Sequence, residues 1–324
     1  MSITHLALLT SGGDAPGMNA AIRAVVRAAH HYGLIVTGVL DGFDGLVEGR
    51  YRTLGPRDVS NIIQRGGTIL RSARSEAFRT SVGRAVAIDR LRSAGIDAVA
   101  VIGGNGSQTG AMILHQESGL PVIGIASTID NDLAGTDRTI GFDTACNTAM
   151  EAIDRLRDTA SSHERLFFVE VMGRDAGFIA LRTAVAGGAE YAMVPEARQD
   201  IDEVVRVLTQ GAAGKGSSIV VVAEGDEQGG AFAIAERVKE RAPQFDIRVS
   251  VLGHLQRGGS PTVADRVLAS RLGVGAVEQL REGRWGGVLG IVHDQLVLTP
   301  FAEAIAGRKP TENDLLRILP ILAV

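Results

Sequence analysis

Apolar residues in this chain fall into short unbroken runs and longer stretches where they return every three or four positions. The runs predict buried strands, and the three-to-four spacing predicts amphipathic helices. On that basis His5–Leu9 is a strand, T-S-G-G-D-A-P (10–16) is a loop, and Met18, Ala21, Ile22, Val25, Val26 and Ala29 mark one face of a helix. Leu34–Leu40 is a second strand, closing a first βαβ unit; Asp41–Leu46 reads as a loop and Asp58–Gln64 as a short helix. A helix at Arg84–Ala94 and a strand at Asp97–Ile102 follow, and the loop Gly103-Gly104-Asn105-Gly106-Ser107 opens a helix through Gln116. The strand 121–125 runs into A-S-T-I-D-N-D-L-A-G-T-D (126–137). The alternation then resumes, with helices at 144–157, 177–186, 201–208, 232–241 and from about Pro261, strands at 166–171, 190–194, 218–223, 247–252 and 288–292, a segment Gln295–Leu298 and a helical tail.

Repeated strand, loop and helix units predict an α/β fold with mostly parallel sheets covered on both faces. The 324 residues suggest two such domains, with a boundary near residue 140 and no flexible linker to mark it.

The stretch after the 121–125 strand draws attention first. If Thr128–Asp132 stays extended, side chains alternate, and Thr128, Asp130 and Asp132 share one side just past a strand end, where ligands bind in open α/β sheets. An acidic surface turn is the plainer reading of the same residues. The loops at Gly12-Gly13-Asp14 and 103–107 also join strand to helix, and glycine there lets backbone N–H groups approach phosphate oxygens. Neither is a Walker A sequence or a good G-x-G-x-x-G turn. Arginines recur at loop and strand ends (Arg74, Arg79, Arg165, Arg174, Arg248, Arg257) and suit bidentate phosphate binding, although any one of them could be a solvated surface charge. Glu224 at a strand end suits a sugar hydroxyl or a loop cap, and His254 suits an acid, a phosphate ligand or a buried imidazole.

Composition removes other classes. A net charge of −4 gives no electrostatic footprint for nucleic acid. The single Cys146 allows no intrachain disulfide and suits a reducing compartment. No apolar run approaches the ~20 residues of a membrane span, and the start lacks the pattern of a signal peptide, so a cytoplasmic protein is expected.

The residues carry a family resemblance. T-S-G-G-D-A-P-G-M-N (10–19), R-G-G-T (65–68), S-A-R (72–74), T-I-D-N-D (128–132), D-R-L-R-D-T (154–159), S-S-H-E-R (161–165), V-M-G-R (171–174) and L-G-H-L-Q-R-G-G-S-P (252–261), in this order, make the chain resemble the bacterial 6-phosphofructokinases over nearly its whole length. The resemblance implies two Rossmann-like three-layer domains with the active site in the cleft between them. One would be a nucleotide-binding domain of 1–140 plus about 256–304, the other a sugar-phosphate domain of about 141–255 plus 305–324. It implies transfer of the γ-phosphoryl group of ATP to the C1 hydroxyl of fructose 6-phosphate with Mg²⁺, in a homotetramer with shared active sites. Asp130 would be the base, Asp132 would help hold the metal together with Asn105, and Thr128 would touch the substrate. Arg74 and Arg174 would stabilise phosphoryl charge, assisted by Gly13. Met172, Gly173, Glu224, His254 and Arg257 would bind the sugar phosphate, with Arg165 and Arg248 reaching a neighbouring subunit's substrate. Gly13, Arg74, Ser75, Gly104, Asn105, Gly106 and Ser107 would line the ATP site.

Departures from the family pattern are specific. Asn105 stands where an aspartate associated with Mg²⁺ is usual, keeping a carbonyl oxygen without its charge. Ser127 replaces a usual glycine. Pyrophosphate-using relatives typically carry aspartate at position 106 and lysine at 127, against Gly106 and Ser127 here, which favours ATP over pyrophosphate as donor. Of the family's allosteric pocket Arg23, Arg27, Arg157, Glu190 and Lys215 match, whereas Pro56, Asn61 and Ala213 do not. The competing expectations are a pyrophosphate-dependent phosphofructokinase, a catalytically weak sugar-phosphate sensor, and a dinucleotide-binding dehydrogenase, the last lacking its glycine turn.

Overall fold

A computed structural model describes residues 3–163, 165–197, 200–211 and 218–323. In chain order the elements are β1 (His5–Thr10), α1 (Met18–His31), β2 (Ile35–Val39), α2 (Gly42–Glu48), β3 (Tyr51–Thr53), α3 (Glu76–Arg79), α4 (Ser81–Ser93), β4 (Ala98–Gly103), α5 (Asn105–Ser118) and β5 (Val122–Ala126). They continue with α6 (Phe142–His163), β6 (Leu166–Val171), α7 (Phe178–Ala186), β7 (Tyr191–Met193), α8 (Ile201–Gly211), β8 (Ser218–Ala223), α9 (Ala231–Arg241) and β9 (Ile247–Val251). A 3-10 turn (Gly253–Arg257), α10 (Val263–Arg281), β10 (Gly287–Val292), β11 (Gln295–Pro300), α11 (Phe301–Ala306) and α12 (Asn313–Leu322) complete the chain. It divides into two compact units, Met1–Asp143 with Arg257–Lys309 and Thr144–Gln256 with Pro310–Val324.

The first unit holds a seven-stranded sheet in the order β11-β10-β5-β4-β1-β2-β3. Its five inner strands are parallel, and the edge strands β3 and β11 are antiparallel to their neighbours. Every residue of β4 and β5 is buried, as parallel strands covered on both faces require. One face packs Ala7, Leu9, Val99 and Val101 against Phe43, Leu91, Leu114 and Phe301, drawn from α2, α4, α5 and α11. Elsewhere α1 and α10 approach at small residues, where a methyl on Gly273 would sit 2.6 Å from Ala24 Cβ.

The second unit holds a four-stranded, wholly parallel sheet in the order β7-β8-β6-β9. Phe168, Val220 and Val222 pack against Ile201, Val204 and Leu208 of α8 and Ile234 and Val238 of α9.

Three local expectations give way to tertiary forces. Residues 42–48 form α2 rather than a loop. Glycine and aspartate make that stretch a poor intrinsic helix, but Phe43 is buried and stacks on Phe78 at 4.4 Å, and a side chain on Gly45 would overlap Leu40 O. Asp58–Gln64 is a series of turns, not a helix. There the Asp58 carboxylate accepts from Gly55 N at 2.8 Å, and Asn61 adopts a left-handed φ of 57°. Residues 128–132 do not run extended: positions 129 and 130 form a turn, and Asn131 has φ 54°. Thr128, Asp130 and Asp132 therefore do not share one side of an extended strand.

Candidate active site

In the first sheet the chain leaves β1 for β2 on one side and returns to β4 on the other. The carboxyl ends of β1 and β4 thus flank the point where strand order reverses, the crevice used for ligands in open α/β sheets. The two glycine loops begin at those ends and touch. A methyl on Gly12 would lie 3.0 Å from Ser107 Oγ, one on Gly103 2.6 Å from the same oxygen, and one on Gly104 3.2 Å from Thr128 Cβ. Ser72 Oγ donates to Gly12 O at 2.6 Å, tying the S-A-R segment with the exposed Arg74 to the first loop. The Arg257 guanidinium covers Gly13, whose missing side chain makes room for it, and donates to Asp14 O at 3.2 Å. Upstream, the buried Asn19 of α1 holds R-G-G-T, donating to Arg65 O and Gly66 O and accepting from Ile69 N.

Helix α5 starts beside these loops. Its N-cap is Gly104, with no side-chain cap and no acidic residue in the first turn. The leading N–H groups of a helix lack intrahelical partners and carry the positive end of its dipole, so this terminus suits an anion. Gly106 is exposed, and a methyl there would meet nothing within 4 Å, so packing does not demand glycine at that position.

Asn105, the first residue of α5, does not cap the helix with its side chain. Its Nδ2 donates to Asp132 Oδ2 at 2.7 Å. An ionised carboxylate only accepts, so this bond turns the Asn105 carbonyl oxygen away from Asp132. The acidic turn is otherwise folded on itself. Thr128 is half-buried and its Oγ1 accepts from Asp130 N at 3.1 Å; Asp130 is buried at 4 % exposure, and Asp132 is half-buried. Ser127 is wholly buried, with its hydroxyl toward Ile140 O. Ser75 serves structure: it caps α3 by accepting from Phe78 N and donates to Asp44 Oδ1 at 3.0 Å.

In the second unit the ends of β6, β8 and β9 supply Met172-Gly173-Arg174, Glu224 and the 3-10 turn with His254. Arg174 holds a left-handed φ of 53° after Gly173 at φ 150°. Two contacts fix it. Glu224 Oε1 accepts from Arg174 N at 2.9 Å, and Gly225 lies so close to Arg174 O that a side chain there would overlap it. The turn carrying Glu224 is fastened in its own right, as Asp226 Oδ1 accepts from Gln228 N at 2.8 Å and Arg237 donates to Gln228 O and Oε1. Burial pushes the Asp226 carboxyl up from its ordinary value. Met172 N donates to the buried Gln256 Oε1 at 2.8 Å. Arg174, Glu224 and His254 are exposed, which removes the buried-imidazole reading of His254. Arg165, just before β6, and Arg248, on the edge strand β9, converge on one carboxylate, Asp246, at 3.1 and 2.6 Å.

The residues expected at an allosteric pocket have separate structural tasks. Arg23 and Arg27 sit one turn apart on α1, and partial burial and then the neighbouring Arg27 lower the Arg23 guanidinium from its ordinary value. Arg157 caps the end of α7 by donating to Gly187 O and Gly188 O at 3.0 Å to the latter, and Glu190 accepts from Ile219 N at 2.6 Å. Lys215 lies outside the described residues. Sequence reasoning missed Gln256, Gly225, Asn131 and Thr139, because their partners are distant in the chain or are backbone atoms. Among the described residues no group of three or more His, Cys, Asp and Glu side chains gathers as a metal site, and no helix is long and apolar enough to cross a membrane.

A phosphate-suited helix terminus at a sheet switch point, in one unit with the buried Asp130 and the exposed Arg74, fits an α/β protein that handles phosphate groups. The chain belongs to the phosphofructokinase family, whose model matches residues 5–280. It is 55 % identical over 324 residues to ATP-dependent 6-phosphofructokinase 2 of Bacteroides thetaiotaomicron, covering 100 % of this chain and 99 % of that one. It is 56 % identical over 321 residues to ATP-dependent 6-phosphofructokinase 1 of Thermus thermophilus, covering 99 % of each. The phosphofructokinase structure from Saccharomyces cerevisiae superposes with a TM-score of 0.89 at 36 % identity over 93 % of this chain, which spans 45 % of that longer one.

Gly225→Ala should cost roughly 1–3 kcal/mol, as overpacking against a fixed backbone does. Gly55→Ala, whose methyl would meet only Asp58 Oδ2 at 3.6 Å, should stay within about 0.5 kcal/mol of the parent. Urea unfolding of the three proteins measures both, and equal midpoints would show that the Arg174 backbone is free to shift.

Proposed function

We propose that this protein transfers the γ-phosphoryl group of ATP to the C1 hydroxyl of fructose 6-phosphate, giving fructose 1,6-bisphosphate and ADP. The observation that carries this reading is identity of 55 % along the entire chain to an ATP-dependent 6-phosphofructokinase. ATP's phosphates are assigned to the α5 N-terminus and the glycine loops at 12–13 and 104–107, with Arg74 alongside. Asp130 takes the proton of the C1 hydroxyl as its oxygen attacks phosphorus, and Thr128 orients the acceptor. Arg174 neutralises charge on the phosphoryl group in flight, where positioning and electrostatics carry most of the catalysis. Met172, Gly173, Glu224, His254 and Arg257 hold the sugar phosphate.

The donor set fits Mg²⁺. This ion is usually held by one or two carboxylates together with substrate phosphates rather than by a full protein cage, and Asp132 with the Asn105 carbonyl oxygen, which takes no part in the bond between them, is such a partial set. When bound it supplies neutralisation of phosphate charge. Arg248 on the edge strand β9 and Arg165 just before β6, joined through Asp246, are assigned to a neighbouring subunit's substrate in a homotetramer.

Assay with fructose 6-phosphate and either ATP or pyrophosphate tests the reading directly, with turnover expected with ATP. Loss of a general base typically costs ~10²–10⁴ in rate. Asp130→Asn should therefore lower kcat by about that factor with far smaller changes in KM, and a variant with near-normal kcat would remove Asp130 from the role.

Asn105→Asp places a second carboxylate within hydrogen-bond reach of Asp132, a pair that needs a cation or a shared proton. The variant should reach half-maximal rate at lower Mg²⁺ and gain more thermal stability from Mg²⁺ in the presence of a non-hydrolysable ATP analogue, with the KM for fructose 6-phosphate unchanged. Coincident magnesium titrations of the two proteins, in rate and in melting, would reject the metal role of position 105.

Sharing of sites between subunits predicts complementation. Asp130→Asn and Arg165→Ala proteins, each impaired, should regain activity after subunit exchange, because mixed oligomers contain sites with both residues intact only when these come from different chains. Demonstrated exchange without recovery would refute it.

A further inference from the structure

The turn carrying Asp130 is closed by two buried residues that have no place in the chemistry. Asn131 is fully buried at φ 54°, and its Oδ1 accepts from Thr139 N at 3.0 Å. Thr139 is also buried, and its hydroxyl lies 2.6 Å from Thr128 O and 3.2 Å from Asn131 Oδ1. A threonine hydroxyl has one hydrogen to give, and the shorter distance assigns it to Thr128 O. Thr139 therefore binds the chain on both sides of Asp130, at Thr128 through its hydroxyl and at Asn131 through its amide. Thr139 is itself fixed: Ile140 N donates to Ala126 O at 3.1 Å, and Ile140 bridges to Ser127, so 139–140 runs beside the end of β5.

No regular secondary structure holds residues 128–132. Asn tolerates the left-handed region better than most residues, but its short side chain also has to span to Thr139, which glycine could not do. We propose that Asn131 and Thr139 are a positioning pair that sets where the Asp130 carboxylate sits, acting through the backbone and never touching substrate. This deepens the phosphofructokinase reading and rests on Asp130 being the base.

The test uses Thr139→Val, which keeps the shape and removes the hydroxyl, and Thr139→Ser, which keeps the hydroxyl, each alone and combined with Asp130→Asn. Steady-state kinetics and melting temperature are measured for all. Losing a buried hydroxyl bond of this kind should lower kcat of Thr139→Val about tenfold while KM values for ATP and fructose 6-phosphate stay within about twofold. Thr139→Ser should recover most of the loss. Combined with Asp130→Asn, Thr139→Val should have almost no further effect on kcat, because residues acting through one another are not additive. A full multiplicative loss in that background would show that Thr139 acts elsewhere and overturn the proposal, as would normal kcat in folded Thr139→Val. If Thr139→Val fails to fold, Asn131→Gly, which keeps the left-handed backbone and removes the carboxamide, takes its place with the same expected loss in kcat, and normal kcat there overturns the proposal too. Near-normal kcat in Asp130→Asn alone would instead remove the base assignment, so the two failures are told apart.

Discussion

Parallel pairing is the constraint from which the rest follows. Strands β1, β4 and β5 pair in parallel in one unit and β6, β8 and β9 in the other, so their carboxyl ends open on one edge of each sheet. The chain must then return over a face by a helix, and the segments between strand end and helix start collect at that edge. The glycine loops, the acidic turn, the Arg174 loop and Glu224 are all such segments. Their proximity within each unit needs no separate explanation, and their chemistry can vary without disturbing the buried strands beneath them.

Charge at the α5 terminus is arranged with economy. One carboxylate, Asp132, faces the helix start, and an amide rather than a second carboxylate stands 2.7 Å from it. A pair of aspartates at this spacing would repel until a cation or proton arrived. With asparagine the two side chains hold each other through Nδ2, and the carbonyl oxygen takes no part in that bond. The arrangement gives up a negative charge beside the helix start in exchange for an ordered pair of side chains.

Some of the backbone strain falls where chemistry is proposed. Asn131 and Arg174 are two of the seven non-glycine residues with positive φ among the described residues, a conformation that persists only where surrounding contacts over-determine it. Asn131 is held by Thr139, and Arg174 by Glu224 and the close approach of Gly225. The same logic appears away from any site in the β10–β11 hairpin. There His293 and Asp294 take the left-handed conformations of a two-residue turn, and Arg271 and Asp137 secure them.

Much of this was legible in the amino-acid order. Apolar runs such as 98–102 and 218–223 marked strands because parallel strands are buried on both faces, and glycine-rich junctions marked the ligand edge. The family motifs pointed to the phosphofructokinase family because so many short segments recur in one order. Tertiary structure decided what depends on partners distant in the chain. Residues 42–48 became a helix because Phe43 and Leu46 had a core to enter, and 58–64 lost theirs to the turn bonds of Asp58. The extended reading of 128–132 failed because a period-two pattern describes a strand, and these residues are instead bent by Thr139, eight positions beyond Asn131. That Asn105 would bond Asp132 instead of capping its own helix was likewise undetermined by sequence. Capping would use the amide oxygen as acceptor and the Asp132 bond uses Nδ2 as donor, and only the fold brings the carboxylate, 27 residues away, within reach.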